Sequence, residues 1–356
     1  MESLGVTVPD AAPYLSADPA AVADWLANEG VELNGRLDVR RIGIGQSNIT
    51  SAVTDESGRS WILREPPVGA SGTAHDMRRE IMMLDALSQT DVPVPEVIAR
   101  GEYPDGRTFY AMTRVGGVVL ESEADAGRLT EAQRRSVGQE AVTILGRLHT
   151  ISPESVGLDH LQSVTPYVTR QIRRSVQMWE RVGVGTTHED LWGRLVRRLC
   201  DVPLPTTRNS IVHGDYRLSN LLVDDGAVSG VLDWELATVG DPIVDLAWLL
   251  DDWRGPDDPA IAMPSPTRVG GFGTTDDVVT TYTTVTGVDP TASGRLDYYR
   301  ALTHWRAATL IQGVIARRRS GAMGDHGAIP LDALDDTVAY LLGAARDHID
   351  RSEHEA

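Results

Sequence analysis

The stretch Ile211 to Asp245, IVHGDYRLSNLLVDDGAVSGVLDWELATVGDPIVD, concentrates side chains that could do chemistry. Asp215 is a carboxylate able to take a proton. Asn220, five positions later, and Asp233, thirteen beyond that, offer an amide oxygen and a second carboxylate able to hold Mg2+. Phosphoryl transfer needs those parts. The pattern around them predicts a hairpin with two polar exits. Ile211-Val212 run into His213-Gly214-Asp215, and the apolar run Leu221-Leu222-Val223 breaks at Asp224-Asp225-Gly226 before a second strand ending in Asp233.

Composition removes several other chemistries. The 356 residues suffice for two lobes with a sizeable core, and the net charge of −18 with no long basic stripe argues against a nucleic-acid surface. A lone Cys200 gives neither a disulfide framework nor a cysteine-based zinc site. No basic-then-apolar leader and no membrane-length apolar run are visible, so a cytoplasmic location without membrane partners is expected. All 33 basic residues are Arg. Without Lys there is no Walker A loop and no Schiff base, which excludes pyridoxal phosphate attachment.

HGDYRLSN, LDWE and GDPIVDLAWLL resemble the motifs of the aminoglycoside phosphotransferase and choline kinase group, relatives of the protein kinases. The resemblance runs from the glycine loop near Gly43 to the helices after Tyr298. It implies an α+β, protein-kinase-like two-lobed fold: a small antiparallel-sheet lobe over 1–114 and a larger, mainly helical lobe over 115–356. It implies ATP and Mg2+ as cofactors and a small-molecule hydroxyl acceptor. Asp215 would be the base, Asn220 and Asp233 would hold the metal, and Asp245 would brace the catalytic-loop backbone. Arg217, two residues after the base, would meet the γ-phosphate or else pair with a surface carboxylate.

In the first lobe, Asp18-Pro19 reads as the cap and first turn of a short helix ending at Gly30. Two or three antiparallel strands follow from Leu37 to Arg64. Gly43, Gly45, Ser47 and Asn48 lie at the tip between the first pair, where backbone N–H groups could cover ATP phosphates or form a plain glycine-rich turn. The β-branched residues after them continue a strand, so a dinucleotide-type loop opening a helix does not fit. Arg64 stands where the group usually has a strand Lys, and with Pro66-Pro67 it resembles the branch of kinase-like domains fused to acyl-CoA dehydrogenases. Its expected partner is Glu80, on a helix from His75 to Leu87 whose apolar positions Met77, Ile81, Leu84 and Leu87 share a face. Met112 to Val115 resembles a hinge for adenine, with Arg114 beside it; Met112 serves equally well as core.

The second lobe reads as helices over Thr130 to His149, Pro166 to Arg181, His188 to Leu199, Thr275 to Thr286, Asp289 to Arg319 and Leu331 to His348, with a frayed tail. His149 is expected to be a packed histidine outside the site. Residues 255–273, rich in Gly and Pro, read as a flap over the acceptor or a surface loop. Two signals for the acceptor oppose each other. The pairs Asp251-Asp252, Asp257-Asp258 and Asp276-Asp277 would draw a polycation such as an aminoglycoside, whereas Trp248, Trp253, Phe272 and Trp305 suit an acyl or aryl body. The branch resemblance, with Arg306 and Arg317-Arg318-Arg319 as anion-holding candidates, favours a hydroxylated acceptor with an apolar or anionic portion. A nucleotide-binding module without turnover and a metal-dependent hydrolase are the rival classes.

Overall fold

The computed structural model describes residues 14–42, 48–67, 77–202, 209–321 and 329–355. The glycine-loop residues Gly43, Gly45 and Ser47 lie outside them, as does the expected helix start at His75. The chain divides into two compact units: Met1–Gly117 with Ser229–Ala237, and Val118–Val228 with Thr238–Ala356. No helix among the described residues is long and apolar enough to cross a membrane.

In the first unit, helix α1 (Pro19–Asn28) starts as its sequence dictates: Asp18 Oδ1 accepts from the amides of Ala20 at 3.0 Å and Ala21 at 3.3 Å, with Pro at the first position. The sheet comprises β1 (Asp38–Arg41), β2 (Ile49–Thr54), β3 (Ser60–Glu65), β4 (Val97–Glu102) and β5 (Thr108–Thr113), in the order β1-β2-β3-β5-β4, with antiparallel neighbours. Strand alternation sorts β3. Trp61 and Leu63 join a core with Leu15, Trp25, Tyr103 and Phe109, while Arg64 projects to the other face, toward α2 (Met77–Leu87). The expected α2 stripe of Met77, Ile81, Leu84 and Leu87 is buried.

Glu65, fully buried, is pinned beside that core. The Tyr103 hydroxyl donates to Glu65 Oε1 and accepts from the Leu15 amide at 3.0 Å, and Ser16 N donates to the same carboxylate at 3.3 Å. Burial, then the neighbouring carboxylate, pushes the Tyr103 phenol well above its ordinary range. Tyr103→Phe removes a donor from a buried carboxylate and an acceptor from a buried amide. It is expected to cost about 1–3 kcal/mol, read as a lower urea midpoint at unchanged slope.

In the second unit, β6 (Val118–Val119) pairs antiparallel with β8 (Leu221–Asp224), β9 (Ala227–Val231) follows β8 in the chain, and β7 (Ser210–Val212) pairs antiparallel with β10 (Thr238–Gly240). The chain passes from this unit to Ser229–Ala237 within β9. After the short α3 (Glu123–Ala126), the helices are α4 (Glu131–Thr150), α5 (Tyr167–Val182), α6 (Glu189–Asp201), α7 (Ile243–Asp252), α8 (Thr275–Thr286), α9 (Arg295–Arg319) and α10 (Leu331–Glu355). Capping boxes open α4 at Thr130/Gln133 and α8 at Thr274/Asp277. Indole rings tie α5, α6 and α9 together: Trp179 stacks on Trp192 at 4.6 Å between centroids, and Trp192 on Trp305 at 4.8 Å.

One expectation about this unit is overturned. The tail does not fray after His348, because α10 runs on to Glu355. Arg198 of α6 pairs with Asp350 and Glu353 at 2.7 Å each, and Ile349 and Ser352 are buried. Of the two readings of residues 255–273, the surface loop fits, and its second half is fastened down. Ser265, Thr267 and Phe272 are buried, Ser265 Oγ and Thr267 Oγ1 donate to Asp252 O at 2.5 and 3.1 Å, and Trp253 Nε1 donates to Gly273 O at 3.0 Å. Helix α4 makes room with Gly138, where a Cβ would come within 2.2 Å of Phe272 O.

Candidate active site

In the second unit, buried β7 delivers the chain to His213, and Gly214 turns it at φ 87°, a conformation that excludes a Cβ at little cost only for glycine. The turn is braced from α7. Asp245 Oδ2 accepts from His213 N at 2.6 Å and Oδ1 from Gly214 N at 2.9 Å, so two inward-facing amides share one buried carboxylate. Asp245 sits in the first turn of α7, whose start is fastened by Asp241: that side chain accepts from Ile243 N at 3.1 Å and pairs with Arg295. His149 is buried as expected, yet it is not remote from the site. Its Nε2 lies 3.4 Å from Asp245 Oδ2, and Nδ1 meets the Tyr282 hydroxyl at 2.8 Å.

The brace presents Asp215. Its Oδ2 accepts from Asn220 Nδ2 at 3.0 Å, its main-chain oxygen accepts from the same amide at 2.8 Å, and its Oδ1 accepts from the Trp248 indole N–H at 2.7 Å. With its N–H2 group turned to Asp215, Asn220 keeps its carbonyl oxygen for other work. Arg217 pairs with Asp252 at 3.5 Å, a carboxylate whose side chain is 11% exposed. Burial raises the Asp252 carboxyl pKa, with Arg217 and Arg254 opposing the rise. Arg306 stacks over Trp248 at 5.1 Å.

In the first unit, Arg64 NH2 lies 3.3 Å from Glu80 Oε2 and 3.8 Å from Asp233 Oδ1. Burial opposes the charge of Arg64, and Glu80, Asp233 and Glu235 outweigh it, holding the guanidinium above its ordinary pKa. Asp233, two residues after β9 ends at Val231, adopts φ 66°, ψ 62°, left-handed for a residue with a side chain, and its carboxylate lies near Arg64. Asn48 Nδ2 donates to Glu235 Oε2 at 3.3 Å. Met112 is buried in β5 opposite Ile62, whereas the exposed Arg114 reaches Ser60 Oγ at 3.3 Å and not the Arg64 cluster.

Glu235 and the contact of Trp248 with Asp215 were missed at the level of sequence. The signal for Trp248 was present: Asp245 and Trp248 stand three apart on a helix, which places both on the face that meets the loop. Among the described residues no three His, Cys, Asp or Glu side chains converge as a metal cage. The donors present, an amide oxygen at Asn220 and carboxylates at Asp233 and Glu235, are hard oxygens. Oxygens of that kind are ones Mg2+ takes.

Residues 38–270 match the phosphotransferase enzyme family. The chain belongs to that family. Acyl-CoA dehydrogenase family member 10 of Mus musculus is 27% identical over 330 residues, covering 88% of this chain and 29% of that protein. Acyl-CoA dehydrogenase family member 11 of Gallus gallus is 29% identical over 297 residues, covering 80% of this chain and 37% of that one. The chain thus spans only about a third of these relatives, in keeping with the branch that Arg64 and Pro66-Pro67 suggested. A Ralstonia eutropha protein assigned to the aminoglycoside phosphotransferases is 26% identical with a TM-score of 0.74, over 95% of this chain and 98% of that one. The chain has the expected fold, a small antiparallel sheet and a larger helical part.

Proposed function

We propose that this phosphotransferase moves the γ-phosphate of ATP to a hydroxyl of a small-molecule acceptor. The observation that carries the reading is the state of Asp215. Both its oxygens accept N–H groups from neutral donors, and no cation pairs with it among the described residues. Glu65 and Asp245 are also held by uncharged donors, but both are buried, whereas Asp215 is only partly buried, so its carboxylate stays open to an acceptor. Asp215 is oriented and still able to receive a proton. The acceptor O–H gives its proton to Asp215, the oxygen forms the new bond to phosphorus, and the bond to the β-phosphate oxygen breaks to release ADP. A nucleotide-binding module without turnover has no use for such a group.

Asn220 and Asp233 would hold Mg2+, which when bound neutralises charge on the phosphates. Arg64, fixed by Glu80, serves the nucleotide phosphates bidentately, in the place of the usual Lys. Asn48 and the glycine loop Gly43, Gly45 and Ser47 would cover the phosphates, and the backbone from Met112 to Arg114 would meet the adenine. Asp233→Ala is expected to weaken Mg-ATP binding by roughly tenfold or more, the scale of losing one charged ligand. Calorimetric titration with and without Mg2+ checks this, and equal affinity in the two proteins contradicts the metal role.

Several of the groups behind the two acceptor signals have partners within the protein. Of the acidic pairs, Asp251 is engaged by Arg300 and His304, Asp252 by Arg217, Asp258 by the Gly255 amide, and Asp277 by the α8 cap. Of the aromatic residues, Trp305 lies in the indole stack, and Trp253 packs on Phe272 at 6.1 Å between centroids. Trp248, half-buried, remains beside Asp215 with Arg306 on its face. No carboxylate pairs with Arg306 among the described residues. A hydroxylated acceptor with an apolar or anionic portion suits that surface better than a polycationic aminoglycoside. A screen of ADP release over hydroxy acids and their thioesters, sugars, amino alcohols and aminoglycosides decides the class. Efficient turnover of aminoglycosides alone would reverse the order.

A further inference from the structure

Trp248 has no metal or phosphate chemistry of its own, yet its geometry toward the reacting carboxylate is specific. Its indole N–H donates to Asp215 Oδ1 at 2.7 Å while Asn220 Nδ2 donates to Oδ2 at 3.0 Å. A carboxylate held at both oxygens by donors on two different elements cannot turn about its Cβ–Cγ bond without breaking a hydrogen bond. Each oxygen has a second lone pair, so a site for the acceptor proton survives. The second side of the indole is also fixed, because Arg306 of α9 lies 5.1 Å from the ring. A cation over the ring withdraws electron density and strengthens the N–H as a donor. The donor is uncharged, so it aims the carboxylate without the tight ion pair that a cation in the same place would form. Trp248 is also three residues from Asp245, so one face of α7 fixes both the loop backbone and the carboxylate the loop carries.

We propose that Trp248 is a positioning residue for the reaction: its N–H holds the Asp215 carboxylate in the orientation that receives the acceptor proton, and Arg306 holds the ring in place. The proposal rests on the reading of Asp215 as base, and two measurements separate the failure of one from the failure of the other. In 15N-tryptophan-labelled protein, the Trp248 indole signal, identified by its loss in Trp248→Phe, is expected downfield and should move upfield in Asp215→Ala. An unchanged signal overturns the contact whether or not any acceptor is known. With the acceptor found by the screen, Trp248→Phe should lower kcat by roughly tenfold to a hundredfold, the range for a misplaced reacting group, with KM for ATP within about twofold of the parent. Benzothienylalanine at position 248 keeps the ring shape and lacks the N–H. It should reproduce the kcat loss at an unchanged melting temperature, whereas parental kcat in that protein reduces Trp248 to packing and overturns the proposal. Absence of turnover on every acceptor, together with the expected indole shift, leaves the contact standing and refutes the catalytic reading beneath it.

Discussion

Asp215→Asn lowers acceptor phosphorylation by a factor on the order of 10² or more, the scale of positioned acid–base help, with nucleotide affinity nearly unchanged. The substitution keeps the size of the side chain and one accepting oxygen, and it removes the proton acceptor. It also places an N–H2 group opposite one of two donors, Trp248 Nε1 or Asn220 Nδ2, which previously shared the carboxylate. One hydrogen bond is lost locally, while Arg64, Glu80 and Asp233 belong to the other unit and keep their pairing. Nucleotide titration and initial rates of ADP release, measured on the same preparation, separate the two effects. A nucleotide affinity loss equal to that of Asp233→Ala contradicts the division of roles.

Asp245→Ala is expected to damage both stability and catalysis. It leaves the His213 and Gly214 amides facing a buried void and takes the nearby carboxylate from His149. Two buried donors without acceptors cost about 2–6 kcal/mol together, at roughly 1–3 kcal/mol for each group. The loop they belong to carries Asp215, so any protein that still folds should lose kcat by about 10² or more, because small displacements of a reacting group are costly. Asp245→Asn retains one accepting oxygen and should fall between. Thermal unfolding and kcat on the three proteins test this; an Asp245→Ala protein that melts with the parent would mean that the two short hydrogen bonds brace nothing.

Local chemistry made much of this legible. The capping signals at Asp18 and Thr130, the alternating strands of the first unit and the apolar stripe of α2 are written in neighbouring residues, so each could be read without knowing its partners. The Arg64–Glu80 pair was also accessible, since a strand position and a helix face each point one way. What escaped depends on partners distant in sequence. His149 meets residues 96 and 133 positions away, and the last turns of α10 are held by Arg198, 155 positions before Glu353. Gly and Pro content gave residues 255–273 the look of a loose loop, although buried Ser265, Thr267 and Phe272 fasten it. Charge counted along the chain likewise does not reveal that Asp251 and Asp252 have basic side chains beside them.

The central claim is that Asp215 delivers an acceptor hydroxyl to the γ-phosphate of ATP, and 31P NMR of the reaction mixture tests it most directly. Parent protein with Mg-ATP and the acceptor from the screen should convert the γ-phosphate signal into a phosphate monoester, matched one for one by ADP. Asp215→Asn, folded and binding nucleotide, should leave ATP intact over the same period. Free phosphate as the only product from the parent protein, or equal monoester formation by both proteins, would contradict the account.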